Sequence, residues 1–278
     1  MKLVRYGDPG HERPGLIDGG GRIRDLSQRI PDISSGVLDG DSLRSLGSLS
    51  IDDLPRVADA PRLGPCVGGV GKFVCVGLNY LDHIREAGAP IPREPVLFMK
   101  ATSCISGPSD PIVVPPEATM VDWEVELGVV IGSVTKRVRE QDALGHVAGY
   151  CVVNDLSERG WQLEGTGQWV KGKSADTFGP IGPWMVTIDE ISDPQMLKLW
   201  LSVNGRIRQQ SSTEQMIFPV RMLVSYISKF MTLLPGDIIS TGTPPGVGMG
   251  AKPPVYLQRG DVVRLGIDGL GEQCQSVT

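Results

Sequence analysis

The chain has 278 residues, of which 40% are hydrophobic and 21% charged, and its formal net charge at pH 7 is -5. This composition is typical of a folded globular protein and excludes a disordered chain. The acidic balance, without a dense cluster of lysine and arginine, argues against a nucleic-acid-binding protein.

The sequence shows neither a membrane span nor a secretion signal. No apolar run reaches the roughly 18 residues that a spanning helix needs, and residues 1–7 lack the apolar core of a signal peptide. The five cysteines are scattered, odd in number and without a C-x-x-C pair, which indicates reduced thiols rather than disulfides or a zinc site. We therefore expect a cytoplasmic protein.

Residues 1–64 differ in pattern from the rest of the chain. Apolar segments at residues 2–6 and 14–26 predict short strands, the second folded back on itself at a run of three glycines. Brief helical turns follow near residues 39–46 and 50–54, and prolines then mark a linker. The sequence predicts a small β-rich N-terminal domain over residues 1–64 and a larger domain over residues 65–278.

A buried strand at residues 73–77 leads into a segment that carries His83 and Glu86. If this segment is helical, the spacing of three places both side chains on one face, where the carboxylate can hold the imidazole. The segment after it, residues 88–95, is rich in proline and glycine, so the pair lies on a candidate lid over a catalytic site. The alternative is an ordinary histidine with a satisfied hydrogen bond. The next apolar strand ends in Lys100, a candidate substrate-binding residue.

The alternating segment at residues 121–132 predicts a strand with one buried face. Its period of two places Glu124 and Glu126 on the same side, where two buried carboxylates repel unless a cation neutralises them. A second apolar run ends in Asp155, which offers a third oxygen ligand. Three carboxylates without a nearby cysteine or histidine cluster favour Mg²⁺ or Mn²⁺ over zinc. An exposed hairpin with two solvated acids is the alternative.

Further candidates follow Asp155. A short helix predicted over residues 156–164 would place Arg159 and Gln162 on the face toward the metal, as substrate-binding residues. The loop of residues 171–183, before a strand at 184–187, carries Lys173, which would stabilise the negative charge of an enolate at the metal. Solvated loop lysines are the common alternative.

The last third of the chain contains a hairpin, a helix and a glycine-rich loop. An Asn-Gly pair at residues 204–205 predicts the hairpin turn, and residues 218–231 predict an amphipathic helix with its apolar stripe in the core. In the loop, Thr243 is a candidate for binding a substrate carboxylate, or alternatively caps a turn. A dinucleotide-binding helix is excluded, because prolines follow the glycines where it would begin.

Together these segments resemble the fumarylacetoacetate hydrolase family over roughly residues 70–275. The resemblance implies a mixed β-roll main domain, hence an α+β and mainly β protein, and a homodimer. It also implies a divalent metal on Glu124, Glu126 and Asp155, with His83, Glu86 and Lys173 as catalytic residues. The motifs that carry it are Gly-Leu-Asn-Tyr-Leu-Asp-His-Ile-Arg-Glu at 77–86, Trp-Glu-Val-Glu-Leu at 123–127, Asn-Asp at 154–155, the run from Lys173 to Pro183, and Ser-Thr-Gly-Thr-Pro-Pro-Gly-Val at 240–247.

The eukaryotic namesake of the family uses a further aspartate upstream of the paired glutamates. Residues 96–100 occupy that region here, so we expect a site of three carboxylates completed by water or substrate.

The implied activity is metal-dependent hydrolysis of a C–C bond in a 2,4-dioxo, acylpyruvate-type acid, which releases pyruvate or a related 2-oxo acid. The chain looks most like the bacterial hydrolases of acylpyruvates and diketo-deoxy-sugar acids. Isomerisation of 2-hydroxyhepta-2,4-diene-1,7-dioate, decarboxylation of oxaloacetate and ureidoglycolate lyase activity remain alternatives on the same scaffold. A non-catalytic binding protein stabilised by its metal is an alternative of another class. The expected ligand is a small dicarboxylic or 2,4-dioxo acid.

Overall fold

A computed structural model describes residues 1–58, 60–88 and 90–278. Within these ranges the chain forms five α-helices and sixteen strands. The helices are α1 (Gly40–Gly47), α2 (Leu81–Ala87), α3 (Arg159–Leu163), α4 (Val170–Lys173) and α5 (Val220–Phe230). The strands are β1 (Lys2–Tyr6), β2 (Arg13–Ile17), β3 (Ile23–Asp25), β4 (Phe73–Gly77), β5 (Val96–Lys100), β6 (Ile105–Ser106), β7 (Val121–Asp122), β8 (Val125–Ile131), β9 (Val147–Asn154), β10 (Ser157–Glu158), β11 (Gly179–Thr187), β12 (Lys198–Val203), β13 (Arg206–Ser212), β14 (Ile238–Ser240), β15 (Val262–Ile267) and β16 (Gly271–Ser276).

The strands form one large mixed sheet and two smaller sheets. The large sheet has ten strands in the order β3-β2-β1-β11-β9-β8-β14-β4-β5, with β6 added beside β11. A four-stranded sheet has the order β13-β12-β15-β16, and β7 pairs with β10. The strand pairs are antiparallel except β14 with β4 and β11 with β6. The prediction of a mainly β, α+β protein with a mixed β-roll is confirmed, and the sheets do not close into a barrel.

The two central strands β8 and β9 are buried along their whole length. Their apolar, β-branched sequences suit a position covered on both faces. The register pairs Val125 with Asn154, so the residues just beyond, Glu124 and Asp155, lie opposite each other. The backbone N–H of Asp155 donates to the carbonyl of Glu124 at 2.9 Å. Acidic side chains from two distant parts of the sequence therefore meet at the end of the most buried strand pair.

The N-terminal strands continue the large sheet, because β1 pairs with β11. The expected hairpin of β2 and β3, the helix α1 and the short 3-10 turn Ile51–Asp53 are all present. The division into domains at residues 64 and 65 stays a prediction.

Several predicted elements are confirmed, and others are wrong in their bounds. The hairpin of β12 and β13 turns at Asn204 and Gly205, and the amphipathic helix is α5. The helix predicted directly after Asp155 begins only at Arg159, because residues 157–158 pair with β7 instead. The loop predicted to extend to Pro183 already becomes strand β11 at Gly179, where a bulge in its pairing with β9 accommodates the prolines.

None of the helices in the described ranges has the length and apolar character that a membrane crossing requires.

Gly149 is the glycine on which the packing of β9 against β11 depends. A Cβ atom there would lie 2.2 Å from the carbonyl oxygen of Val186, which belongs to the neighbouring strand and cannot move independently. We expect Gly149→Ala to destabilise the protein by about 3 kcal/mol, as other overpacked cores do. Gly145→Ala is the matched control, because a Cβ atom at Gly145 meets nothing within 4 Å. Equal urea midpoints for the two variants would contradict this reading of the sheet.

Candidate active site

A small cavity of about 140 Å³ opens where the buried strands end. One side of the cavity is polar and the other is apolar. The polar lining residues are His83, Glu124, Glu126, Arg159, Gln162, Lys173 and Thr243. The apolar lining residues are Val76, Leu78, Phe98, Leu163, Trp169, Val247 and Met249. Most of the candidate site residues therefore surround one space, although they come from segments far apart in the sequence.

Three buried carboxylates cluster at the floor of this site, where Glu124 and Glu126 line the cavity and the fully buried Asp155 lies next to them. Glu124, Glu126 and Asp155 each offer an oxygen, and these oxygens lie within 4.8 Å of one another. The strand predicted over residues 121–132 is interrupted between β7 and β8, because side chains of Asp122 and Asn154 accept hydrogen bonds from the backbone there. The two glutamates nevertheless reach the same cavity.

Two buried lysines neutralise part of this acidic cluster. The Nζ atom of Lys173 lies 2.6 Å from Glu124 Oε2 and 2.8 Å from Asp155 Oδ2. The Nζ atom of Lys100 lies 2.5 Å from Asp155 Oδ1 and donates to the carbonyl of Leu156 at 3.1 Å. Burial would lower the pKa of Lys173, but the carboxylates of Asp155 and Glu124 outweigh it and raise that pKa above its usual value.

Glu124 and Glu126 have opposite electrostatic environments. Burial would raise the pKa of Glu124, but Lys173 and Arg159 outweigh it and lower that pKa to about 2. Burial raises the pKa of Glu126 well above its usual value, and the nearby charges of Asp155 and Glu124 raise it further. Glu126 accepts hydrogen bonds from Ser240 Oγ at 2.6 Å and Gly242 N at 2.8 Å.

No basic side chain in the described ranges forms an ion pair with Glu126. A buried carboxylate beside two others needs a positive charge to stay ionised. The donor set of three carboxylates suits a hard divalent cation bound through oxygen. The residues present therefore fit such an ion.

Arg159 is held by three acceptors, one of which the sequence analysis missed. Its Nη2 donates to Glu124 Oε1 at 2.7 Å, and its Nη1 donates to Gln162 Oε1 at 2.8 Å. Its Nε donates to Asp122 Oδ2 at 2.9 Å. Asp122 also accepts the backbone N–H groups of Gly248 and Met249. This fully buried aspartate thus fixes both Arg159 and the turn that closes the cavity.

His83 and Glu86 lie on α2, as the spacing predicted. His83 lines the cavity, and its Nδ1 is 3.5 Å from Glu86 Oε2, longer than a good hydrogen bond. Glu86 instead accepts from the backbone N–H of Gly246 at 3.1 Å. Asp82 fixes the start of the helix, since it accepts from Ser211 Oγ at 2.5 Å and from the N–H of His83. His83 therefore lines the cavity, while Glu86 lies next to it outside the lining, docked on the backbone of Gly246.

Two of the predicted substrate-binding residues are placed differently from the others. Lys100 is not among the residues that line the cavity, because its buried ammonium lies behind Asp155. Thr243 lines the cavity, but its hydroxyl donates to the carbonyl of Val125 and accepts from Gln209. In this structure the polar groups of both side chains bind other residues of the protein, Asp155 and Val125 respectively, and so stabilise the walls of the site.

The apolar wall contains residues that no motif in the sequence marks as functional. Phe98 and Trp169 pack edge to face with ring centroids 5.3 Å apart, and the Phe98 ring lies 5.1 Å from Lys173 Nζ. The indole of Trp169 lies against the backbone of Gly77, where a Cβ atom would come within 2.5 Å of the ring. The spacing of these aromatic residues along the chain could not show that they share one cavity.

Residues 72–278 match the model of the fumarylacetoacetate (FAA) hydrolase C-terminal family. The chain belongs to this family. The expected resemblance is thereby confirmed. A Burkholderia multivorans protein provisionally named as a hydrolase is 60% identical over 276 residues, which cover 99% of this chain and 98% of that protein.

Two solved structures of family members show the range of activities. Maleylpyruvate hydrolase of Sphingobium sp. SYK-6, in complex with manganese(II) ion and pyruvate, is 30% identical with a TM-score of 0.81, covering 100% of this chain and 99% of that chain. A 2-hydroxyhepta-2,4-diene-1,7-dioate isomerase of Mycobacterium marinum is 32% identical with a TM-score of 0.75, covering 100% and 98%. Members of the family are hydrolases or isomerases, and this chain is an enzyme of that type.

Proposed function

We propose that this fumarylacetoacetate hydrolase family member is a divalent-metal-dependent hydrolase that cleaves the C3–C4 bond of an acylpyruvate-type 2,4-dioxo acid. The observation that carries the proposal is the cluster of Glu124, Glu126 and Asp155, two of which line a cavity that His83 also lines, with Glu86 next to His83. The related Sphingobium hydrolase, solved with manganese and pyruvate, supports both the metal and a 2-oxo acid product.

The three carboxylates would hold Mg²⁺ or Mn²⁺, since oxygen ligands suit both ions. When bound, such an ion supplies a Lewis acid that polarises the 2-oxo group of the substrate. Arg159 fixes the orientation of Glu124 through its hydrogen bond of 2.7 Å. Lys100 holds the third ligand, Asp155, from behind. These residues preorganise the floor of the site before substrate arrives.

His83 and Glu86 would activate the attacking water. With His83 Nδ1 directed toward Glu86, the other ring nitrogen can take a proton from a water in the cavity, while Glu86 stabilises the imidazolium that forms. The water then attacks the distal carbonyl, and the C3–C4 bond breaks. The electron pair of that bond remains on the departing pyruvate unit as an enolate, and the proton that His83 took from water is transferred to C3 of this enolate.

Lys173 would stabilise the negative charge of this enolate. Its ammonium is buried and positively charged, and it lies between Glu124 and Asp155 on the cavity wall. A fixed positive charge in a water-poor site stabilises developing negative charge more strongly than the same charge in water. Gln162, held by Arg159, is positioned for a hydrogen bond to the substrate carboxylate.

Isomerisation of a 2-oxo dioic acid is the second candidate, and the similarity to the Mycobacterium marinum isomerase favours it. It would use the same carboxylate floor to move a double bond without water attack. The two reactions therefore differ in whether an oxygen from solvent enters the product.

Turnover of acetylpyruvate in H₂¹⁸O tests the proposed hydrolysis. We expect pyruvate and acetate as products, with one solvent oxygen incorporated into the acetate carboxyl group beyond the exchange seen without enzyme. Mass spectrometry of the acetate measures this incorporation. A shift of the enol absorbance of a dienedioate substrate, together with no fragment from acetylpyruvate, would favour the isomerase instead.

The homodimer expected from the family resemblance stays a prediction, and so does the cytoplasmic location. Light scattering of the purified protein would give its mass in solution, and one chain per particle would contradict the dimer.

A further inference from the structure

We infer that the acyl group of the substrate is apolar, an alkyl or aryl chain, and that Phe98 and Trp169 select it against acyl groups that end in a carboxylate. This inference rests on the proposed function, because it concerns the part of the substrate beyond C4 in the same cavity. It separates simple acylpyruvates from the dicarboxylic substrates that the names of family members describe.

The positively charged side chains of the cavity already form ion pairs with carboxylates at its floor. Among the described residues that line it, the lysine and arginine side chains are Lys173 and Arg159. Lys173 lies between Glu124 and Asp155, and Arg159 between Asp122 and Glu124. Both cations face the end of the cavity where the shared 2-oxo acid group of any acylpyruvate would bind. Neither is left to pair with a second carboxylate at the other end.

The opposite wall is apolar and aromatic. Phe98 and Trp169 meet edge to face, and the absence of a Cβ atom at Gly77 leaves room for the indole to pack against the backbone there. At the rim, Leu163 and Met249 are 47% and 38% exposed, so the apolar surface continues to the mouth. Exposed apolar side chains around a cavity favour the burial of an apolar ligand group.

The energetic consequence differs sharply for a methyl and a carboxylate end group. A methylene buried on this wall should improve kcat/KM about fourfold, from the transfer free energy of one CH₂ group. A carboxylate against the same wall would lose its hydration without gaining a positively charged partner. We expect this loss to lower kcat/KM by at least about 100-fold.

A matched pair of substrates tests the inference. Butanoylpyruvate and succinylpyruvate have the same number of acyl carbons and differ in a terminal methyl against a terminal carboxylate. Their dissociation constants are measured by calorimetry with the Glu86→Gln variant in the presence of Mn²⁺, and kcat/KM with the unaltered protein. We expect at least about 100-fold tighter binding and faster turnover for butanoylpyruvate. Equal or tighter binding of succinylpyruvate would overturn the inference.

Variants of Trp169 test whether the aromatic wall is responsible for the preference for an apolar acyl group. Trp169→Leu keeps an apolar side chain and should keep the preference for butanoylpyruvate. Trp169→Arg supplies a cation and should shift the ratio of the two dissociation constants by about tenfold or more toward succinylpyruvate. A ratio unchanged in Trp169→Arg would contradict the role of this wall. Because binding is measured separately, an unaltered protein that binds butanoylpyruvate without cleaving it would refute the hydrolase and leave the inference supported.

Discussion

Replacing Glu126 by glutamine is expected to abolish divalent-metal binding and turnover while stabilising the metal-free protein. Glu126 is buried beside two other carboxylates, which together with burial raise its pKa, and no described basic side chain pairs with it. The glutamine side chain has the same shape and can still accept the hydrogen bonds from Ser240 and Gly242. We expect a gain of about 1 to 2 kcal/mol from removal of the buried charge. Thermal unfolding in EDTA would show it as a rise of about 2 to 6 °C in Tm.

Glu124→Gln is the matched comparison, because it removes a carboxylate from the same cluster with the opposite expected effect on stability. Lys173 and Arg159 both pair with Glu124, and its loss leaves their buried charges undercompensated. We expect the metal-free variant to be less stable by about 3 kcal/mol, although metal binding is lost as in Glu126→Gln. Calorimetric titration with Mn²⁺ and unfolding in EDTA measure the two effects separately.

The pH dependence of the two variants has opposite signs. The pKa of Glu126 is raised above its ordinary value of 4.5, so this carboxyl costs stability as the pH rises above 4.5. The advantage of Glu126→Gln should therefore grow from pH 4.5 toward neutrality. The pKa of Glu124 is lowered to about 2 from 4.5, so its contribution is complete above pH 4.5 and is lost as the pH falls toward 2. Full metal affinity in both variants would contradict the carboxylate site.

Glu86→Gln is expected to lower kcat by about 10²- to 10⁴-fold, the usual contribution of a positioned general acid–base group. The carboxylate faces His83 Nδ1 at 3.5 Å, whereas the amide cannot stabilise an imidazolium in the same way. The glutamine can still accept from the N–H of Gly246, so α2 should remain docked. Mn²⁺ affinity should stay unchanged, because Glu86 does not belong to the carboxylate cluster. Steady-state pyruvate release and calorimetry check both statements.

The control for the Glu86 variant is Glu214→Gln, which removes an exposed glutamate on the surface. Its kcat and metal affinity should match those of the unaltered protein. If Glu86→Gln also retains its kcat, the water-activating role of the His83 and Glu86 pair is wrong, and the reaction proceeds without it.

The sequence predicted those parts of the site that depend on local periodicity. The period of two of the predicted strand placed Glu124, just before β8, and Glu126, within β8, on one side, and the spacing of three on α2 placed His83 beside Glu86. Asp155 was predicted from the abrupt end of an apolar run. The antiparallel register of β8 and β9 then brings it opposite Glu124. Each of these inferences needed only the geometry of one strand or one helix.

The parts that the sequence did not predict depend on tertiary placement. Asp122 is one acidic residue among many in the sequence. Its role follows from three hydrogen bonds that it accepts from distant parts of the chain, one from Arg159 and two from the backbone N–H groups of Gly248 and Met249. Lys100 was predicted to bind substrate, but the pairing of β5 at the sheet edge carries its side chain behind Asp155. Residues 157–158 were predicted to be helical, but they form strand β10. Their partner, β7, is distant in sequence, so local patterns do not reveal this pairing.

Pyruvate release from acetylpyruvate by the purified protein, before and after treatment with EDTA, is the measurement that tests the central claim most directly. A coupled assay with lactate dehydrogenase follows the pyruvate. We predict turnover with Mg²⁺ or Mn²⁺, no turnover after chelation, and recovery when either ion is added back. Undiminished turnover in EDTA would contradict a metal-dependent hydrolase built on Glu124, Glu126 and Asp155.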